Sequence, residues 1–280
     1  MSYVDKLFVE DAINILGEDF ETDNRAKWND GSQVKTKRVF QVVHKYDLSK
    51  GFPILGLRKI NYKIAIDEIL CFYVKLSNNI KDMKGHIWDS WANDKGDIEK
   101  AYGYQIARHT MGFESQMHYV LHQLKNNRTS RRIMINMFNV DDQLIKATKS
   151  LVECAYALHF SVKKDKLDMT LIQRSGDFLT ASSPGGFNVI QYCALMSAIA
   201  KECNLKPGVF MHVLQDQHIY NKHENQAKEL IDRYITNNGA DIPLPTLVIK
   251  DKPFFELTSD DFELIGYEPL GSIGKIEVAI

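Results

Sequence analysis

The sequence has no surplus of either charge: 35 Lys and Arg stand against 36 Asp and Glu, a formal net charge of −1. A field that would hold nucleic acid by charge alone is excluded, although a local basic patch is not. Glycine and proline are few, at 16 and 7 of 280 residues, which excludes collagen-like and low-complexity chains. Long apolar runs are missing as well. The longest uncharged stretch, 178–200, is broken by Ser182, Ser183, Pro184, Gly185, Gly186, Asn188 and Gln191, so no membrane span is expected. There are only four cysteines, at 71, 154, 193 and 203, and none forms a C-x-x-C pair. That pattern predicts thiols in a reducing compartment, with neither a disulfide framework nor a zinc site. The opening MSYVDKLFVEDAINILGEDF carries acids through its apolar stretch, unlike a signal peptide, and a cytoplasmic address is expected.

What is present is an ordinary globular composition, 44% hydrophobic and 25% charged. A chain this long buries roughly three quarters of its unfolded surface and needs no covalent staple. With no repeat, linker or block of like charge, residues 1–280 read as one continuous domain. From 62 to 76 the residues Ile64, Ala65, Ile69, Phe72, Tyr73 and Leu76 fall on one helical arc. Glu68 sits inside that arc, about 40° from Ile64 at 100° per residue. Residues 114–127 read as an amphipathic helix and 128–132 as the loop after it. Strands are expected at 133–139, 152–162, 167–173, 208–215 and 246–250. A turn at 182–186 precedes a stretch, 187–200, that is apolar all round and suggests a buried helix. Strands and helices in irregular order predict an α+β, mixed α/β fold.

Several motifs fail on inspection. GFPILGLR (51–58) has phosphate-loop glycine spacing, but Leu57 and Arg58 replace its Lys and Ser/Thr. No G-x-G-x-x-G follows a strand, and there is no G-x-S-x-G. His118 and His122 have metal-ligand spacing, but Tyr119 stands where a zinc protease needs Glu, and solvated helix histidines are the better reading. No metal is expected. What survives is dispersed. Cys154 lies on the apolar face of a strand, where a thiol alone is usually inert core. Arg174 and Ser175, ending the next strand, would stand near it if the strands pair, and a cation is what activates a thiol. Arg131 and Arg132 form a dibasic loop suited to a phosphate, or simply to solvent.

These residues lie within segments that are weak alone but ordered together: IWDSWA (87–92), AYGYQ (101–105), SRR (130–132), QRSGD (173–177), FN (187–188), DQHIYNKH (216–223) and GYEP…VAI (266–269, 278–280). In their order and spacing the chain resembles the thymidylate synthases, from about Arg25 to its last residue. The resemblance implies a three-layer fold with a large mixed sheet at a homodimer interface. It implies reductive methylation of dUMP to dTMP, with 5,10-methylenetetrahydrofolate as one-carbon and hydride donor. Cys154 matches the nucleophile that adds to C6 of the pyrimidine. Glu68 matches the acid that relays protons at uracil O4, and Tyr102 the tyrosine near C5. Asn188 matches the amide that reads the uracil edge, accepting from N3–H and donating to O4. Arg25, Arg174 and Ser175 match phosphate ligands, with Arg131 and Arg132 reaching in from a second subunit. His218 and Tyr220 match the pair on the ribose hydroxyl. Trp88, Asp177, Val278, Ala279 and Ile280 match positions that bind or cover the folate. Neither a membrane nor nucleic acid is an expected partner.

The chain departs from the family pattern in places. Glu153 and Ala155 flank the nucleophile where Pro and His are common, and an anion beside a thiol would raise its pKa. Strand alternation is expected to turn Glu153 to the opposite face. FLTASSPGGFN (178–188) is longer by about three residues than the usual link. Cys71 stands where a tryptophan is common, and Gln215 where a glycine is. The altered loop admits a rival on the same fold, a dUMP hydroxymethylase that adds water in place of hydride. A second rival is a nucleotide-binding homologue without catalysis.

Overall fold

Alternation of apolar and polar side chains explains the strands that carry the site. In 166–173 the residues Leu167, Met169, Leu171 and Gln173 are buried, while Asp168, Thr170 and Ile172 between them are partly exposed. Such a period of two belongs to a strand with one face on a core. A computed structural model of the chain describes residues 2–110, 112–143, 152–237 and 243–279, without the side chains of Asn24, Arg25 and Gln143.

In chain order the elements begin with α1 (Tyr3–Leu16), β1 (Glu21–Lys27), β2 (Gln33–Asp47), α2 (Tyr62–Tyr73) and α3 (Tyr102–Ala107). Next come α4 (Gln116–Asn126), β3 (Met134–Asn136), α5 (Val140–Gln143), β4 (Ala155–Lys163), β5 (Lys166–Gln173) and β6 (Gly176–Asp177). The chain closes with α6 (Phe187–Glu202), β7 (Lys206–Tyr220), α7 (Glu224–Thr236), β8 (Thr246–Ile249) and β9 (Phe262–Ile265). The large sheet runs β1–β2–β7–β5–β4–β3, with β6 also beside β7. Its β5 and β6 lie parallel to β7, and its other pairs are antiparallel. The fold is therefore mixed α/β on a large mixed sheet, as expected. No helix among the described residues is long and apolar enough to cross a membrane.

Helix α6 is buried along nearly its whole length and packs between α2 and β7, which is why its sequence has no polar face. Its neighbour α2 places Glu68 toward the same interior. The expected strand at 208–215 extends to Tyr220, so His218 and Tyr220 sit on β7 itself. Strand β4 starts at Ala155, so Cys154 immediately precedes it and is not a strand residue. Several further elements have no expectation in the sequence analysis, among them α1, β2 and α7. Helix α1 begins at a capping box, with Ser2 Oγ accepting from Asp5 N–H and the Asp5 carboxylate accepting from Ser2 N–H. Helix α7 is largely polar, with only Ala227 and Leu230 buried. Strand β2 is rich in Lys, Arg and His, and its ladder skips at Gln41, where φ is 60°. No single face of β2 therefore reads as apolar.

Two glycines in the quoted motifs have steric causes. A Cβ on Gly103 would meet the Ser77 carbonyl oxygen at 2.0 Å, because the start of α3 rests against that backbone. A Cβ on Gly176 would lie 2.5 Å from the Ser182 side chain, in the tight space between β6 and the turn after it. Backbone cannot yield as a flexible side chain can, so overpacking is costly at the first site. Gly103→Ala is expected to destabilise the protein by about 1–3 kcal/mol, read from the urea unfolding midpoint. An unchanged midpoint would mean that the Ser77 backbone gives way freely.

Candidate active site

One cavity of about 620 Å³ opens beside the carboxyl ends of β5 and β6. Its wall brings together Glu68, Trp88, Tyr102, Cys154, Arg174, Ser175, Asp177, Asn188, His218, Tyr220, Val278 and Ala279. These were expected from segments spread over most of the chain. Arg131 and Arg132 do not line it and lie exposed on the loop before β3. The side chain of Arg25 and all of Ile280 lie outside the described residues.

The thiol is positioned by the two segments on either side. Cys154 N–H donates to the Tyr102 hydroxyl at 3.0 Å, leaving that hydroxyl's own proton for another acceptor. Arg174 donates from Nε to the Glu153 carbonyl at 3.0 Å and from Nη2 to the Val152 carbonyl at 2.8 Å. The same Nη2 lies 3.5 Å from Cys154 Sγ. A guanidinium there stabilises negative charge on sulfur. Glu153 is buried and Cys154 half-buried on the cavity, and because both precede β4 the strand alternation expected to turn Glu153 to the opposite face does not operate there. Tyr102 stacks on Phe72 at 5.1 Å and meets Trp88 edge-on at 5.4 Å. Burial and the charges of Cys154 and Glu153 hold its phenol well above the usual value.

Glu68 is the carboxyl that interrupts the apolar arc of α2. Burial pushes it up to about 7, a hydrogen bond from Gln191 and the nearby Trp88 indole oppose the rise, and the Asp67 charge adds to it. Asp177 is held the other way. Burial alone would raise its carboxyl, but His223, His218 and the Thr180 side chain outweigh it and bring the group below its ordinary value. His223 stands behind it, with Nδ1 3.6 Å from the Asp177 carboxylate and Nε2 2.7 Å from the Glu277 carbonyl. The tail is held further by Lys222, 3.1 Å from the Glu277 carboxylate, and by Ala279 packing against the cluster of Ala26, Trp28, Val34 and Tyr220. Parallel pairing of Asp177 with His218 sets those two side by side. His218 is oriented by Asp216 at 2.9 Å and meets the Tyr220 ring at 4.9 Å.

The lengthened link is folded into the body of the protein. Phe178–Ser182 forms one π-helical turn, capped by Asp177 accepting from the N–H groups of Leu179 and Thr180. Phe178 packs on Phe8 of α1 at 4.8 Å, Arg58 donates to the Leu179 carbonyl, and Leu55 N–H donates to the Gly185 carbonyl. Segment 51–58, with its false phosphate-loop spacing, is the support on which this link rests. Thr180 and Ala181 reach the cavity wall.

The sequence reading did not single out Gln173, Gln191 or His223. Gln173 stands inside the quoted QRSGD, and His223 inside DQHIYNKH. Gln191 was visible only as an amide in a helix that is otherwise apolar all round. Among the described residues no group of three or more His, Cys, Asp or Glu could hold a metal ion.

A mixed sheet thus sets a thiol, a carboxyl of raised pKa and hydrogen-bonded amides around one cavity, and comparison with known proteins places the chain in a methyltransferase family. The thymidylate synthase family profile matches residues 8–280, and the chain belongs to that family. Thymidylate synthase of Streptococcus pneumoniae strain 70585 is 35% identical over 292 residues, covering all of both chains. The same-named enzyme of Lactococcus lactis subsp. lactis strain IL1403 is 33% identical over 291 residues, again covering all of both. Among solved structures, thermostable thymidylate synthase A from Bacillus subtilis is similar with a TM-score of 0.84 and 32% identity, covering 99% of each chain.

The raised Glu68 carboxyl has a consequence for stability. The folded protein holds this proton more tightly than the unfolded chain, so its contribution favours folding below the ordinary value and is lost as pH rises through about 7. Glu68→Gln cannot ionise and should gain stability over the wild type as pH rises from about 5 to about 8. Urea unfolding of both proteins at the two pH values checks this, and a difference independent of pH would contradict it.

Proposed function

We propose that the protein is a homodimeric thymidylate synthase that converts dUMP to dTMP with 5,10-methylenetetrahydrofolate. The observation that carries this reading is the convergence of Cys154, Arg174, Asn188, Glu68 and Tyr102 on one cavity. Cys154 Sγ, with Arg174 beside it, adds to C6 of the pyrimidine, and the electron pair moves through C5 toward O4. Asn188 and Glu68 meet the ring there, the first by hydrogen bonding and the second by exchanging a proton from a carboxyl poised near neutral pH. Tyr102, its hydroxyl fixed by the Cys154 N–H, faces the position from which the C5 proton leaves. Arg174, Ser175 and Arg25, with Arg131 and Arg132 of the partner subunit, hold the phosphate. His218 and Tyr220 hold the ribose.

The residues present fit a folate. Trp88 and Trp91, 5.9 Å apart edge-to-face, offer an apolar wall for a flat ring, and the Asp177 carboxylate offers an acceptor for its N–H groups. When bound, the folate supplies the one-carbon unit and the hydride. Val278 and Ala279, tethered through Glu277, cover that part of the cavity and exclude water.

The homodimer is supported by the uncovered face of the sheet. Val43, Val213 and Ile172 are paired across β2, β7 and β5 and share that face, where Val43 is 50% exposed. A contiguous apolar face of this kind is an interaction surface. Light scattering should give twice the 32.1 kDa chain mass. Val43→Glu with Val213→Glu should yield monomers of reduced activity, because Arg131 and Arg132 are then withdrawn from the partner's site.

The deciding experiment incubates the protein with dUMP and methylenetetrahydrofolate and identifies both products. Dihydrofolate with dTMP supports the reading. Tetrahydrofolate with a hydroxymethyl nucleotide would replace it with the hydroxymethylase, and neither product, with no adduct to 5-fluoro-dUMP, would favour a binding protein. Cys154→Ser should bind dUMP yet lose activity by about 10³-fold or more. Near-normal turnover would refute the covalent step.

A further inference from the structure

Gln191 has no part in the chemistry above, yet it lines the cavity, is 2% exposed and stands one helical turn after Asn188. Its amide lies in an unbroken line of hydrogen bonds. Gln173 Nε2 donates to the Ser175 carbonyl at 2.9 Å and to Asn188 Oδ1 at 3.2 Å. Asn188 Nδ2 donates to Gln191 Oε1 at 3.0 Å, and Gln191 Nε2 donates to Glu68 Oε1 at 2.8 Å. At the far end the fully buried His212 lies with Nε2 2.8 Å from Gln173 Oε1.

The direction of this line follows from one group that cannot reverse. A backbone carbonyl only accepts, so the nitrogen of the Gln173 amide must face Ser175. That nitrogen also faces Asn188, which places the Asn188 oxygen toward Gln173 and its nitrogen toward Gln191. Gln191 then has its oxygen toward Asn188 and its nitrogen toward Glu68, an acceptor when ionised. The remaining lone pair of Asn188 Oδ1 and the second N–H of Nδ2 are left for the cavity. They present an acceptor and a donor, which matches the N3–H and O4 edge of uracil. Cytosine presents the opposite pair. Turning Asn188 to suit cytosine would set two donors face to face at Gln173 and two acceptors at Gln191. Buried groups opposed in that way are costly.

We infer that Gln191 is a positioning and specificity residue: its amide locks Asn188 in the uracil-reading orientation and anchors the Glu68 carboxyl against the same ring. This inference rests on the proposed dUMP substrate. The ionisable side chains facing Glu68 are Asp67 on α2, Tyr192 on α6, and Tyr102 and Cys154 across the cavity. Of the described groups, only Gln191 is bonded to both Asn188 and Glu68.

Two variants separate the two roles. Gln191→Met keeps the volume and loses both hydrogen bonds. Gln191→Glu keeps an acceptor for Asn188 but removes the donor to Glu68 and adds a second acid. Calorimetry with dUMP and with dCMP gives the discrimination, and turnover against pH gives the Glu68 limb. Gln191→Met should lose dUMP binding by about 10- to 100-fold, with dCMP changed far less, and shift the limb to higher pH. Gln191→Glu should retain the dUMP preference and still shift the limb upward. The inference is overturned if Gln191→Met keeps both the preference and the limb, or weakens the two nucleotides equally. If Gln191→Met does not fold, Gln191→Glu decides alone, and an unmoved limb or a lost preference overturns it. A wild-type protein that does not prefer dUMP over dCMP would instead refute the substrate assignment, whatever the variants do.

Discussion

The parallel placement of both β5 and β6 beside β7 is the constraint on which the site depends. Gln173 pairs with Leu214 and Gly176 with Gln217, so β6 continues the register of β5 along β7, and Arg174 and Ser175 fall in the gap between the two paired stretches. From that gap Arg174 reaches the backbone before β4, where it donates to the carbonyls of Val152 and Glu153. The same register also brings the Ser175 carbonyl under Gln173 and sets Asp177 beside His218. Strand β7 spans fifteen residues and carries His212, His218 and Tyr220 along one length of ladder. A single run of backbone pairing thus spaces the polar groups around the cavity.

Much of this was legible in the sequence, for reasons that differ by residue. Glu68 was visible because a carboxyl breaks an apolar helical arc, and the structure shows that the interruption faces a cavity. The strands β4 and β5 were visible because one face is core and the other is not. Cys154 was harder to place. It reads as the next member of the alternating series through Tyr156 and Leu158, yet the ladder starts one residue later because its N–H is taken by Tyr102. Strand β2 was hidden by basic residues and by the irregularity at Gln41. Helix α7 was hidden by a narrow apolar stripe, held to Ala227 and Leu230 at its buried face. The grouping of distant motifs into one site came from resemblance, because no local pattern encodes which chain segments meet.

The lengthened link after Asp177 shows how an insertion can be absorbed into the body of the protein. Its apolar residues, Phe178 and Leu179, are turned into the core, and its backbone is tied to segment 51–58. Thr180 and Ala181 remain at the cavity, with Phe187 and Asn188 where the link enters α6. Helix α1, which contributes no residue to the cavity, therefore backs its wall through Phe8.

His212 gives the amide line a property of a different kind. Burial, with the charge of His44 adding to it, pushes this imidazole down to about 3, so it stays neutral through the pH range of living cells. The direction of the line is set by the Ser175 carbonyl, and His212 meets it by donating from Nε2 to Gln173 Oε1. At the opposite end Glu68, pushed up to about 7, does respond to proton activity over that range. One continuous line of hydrogen bonds thus joins an insulated terminus to a responsive one, and the Asn188 amide lies between them. Acidity changes the charge at one end of the line and leaves the other end as it is.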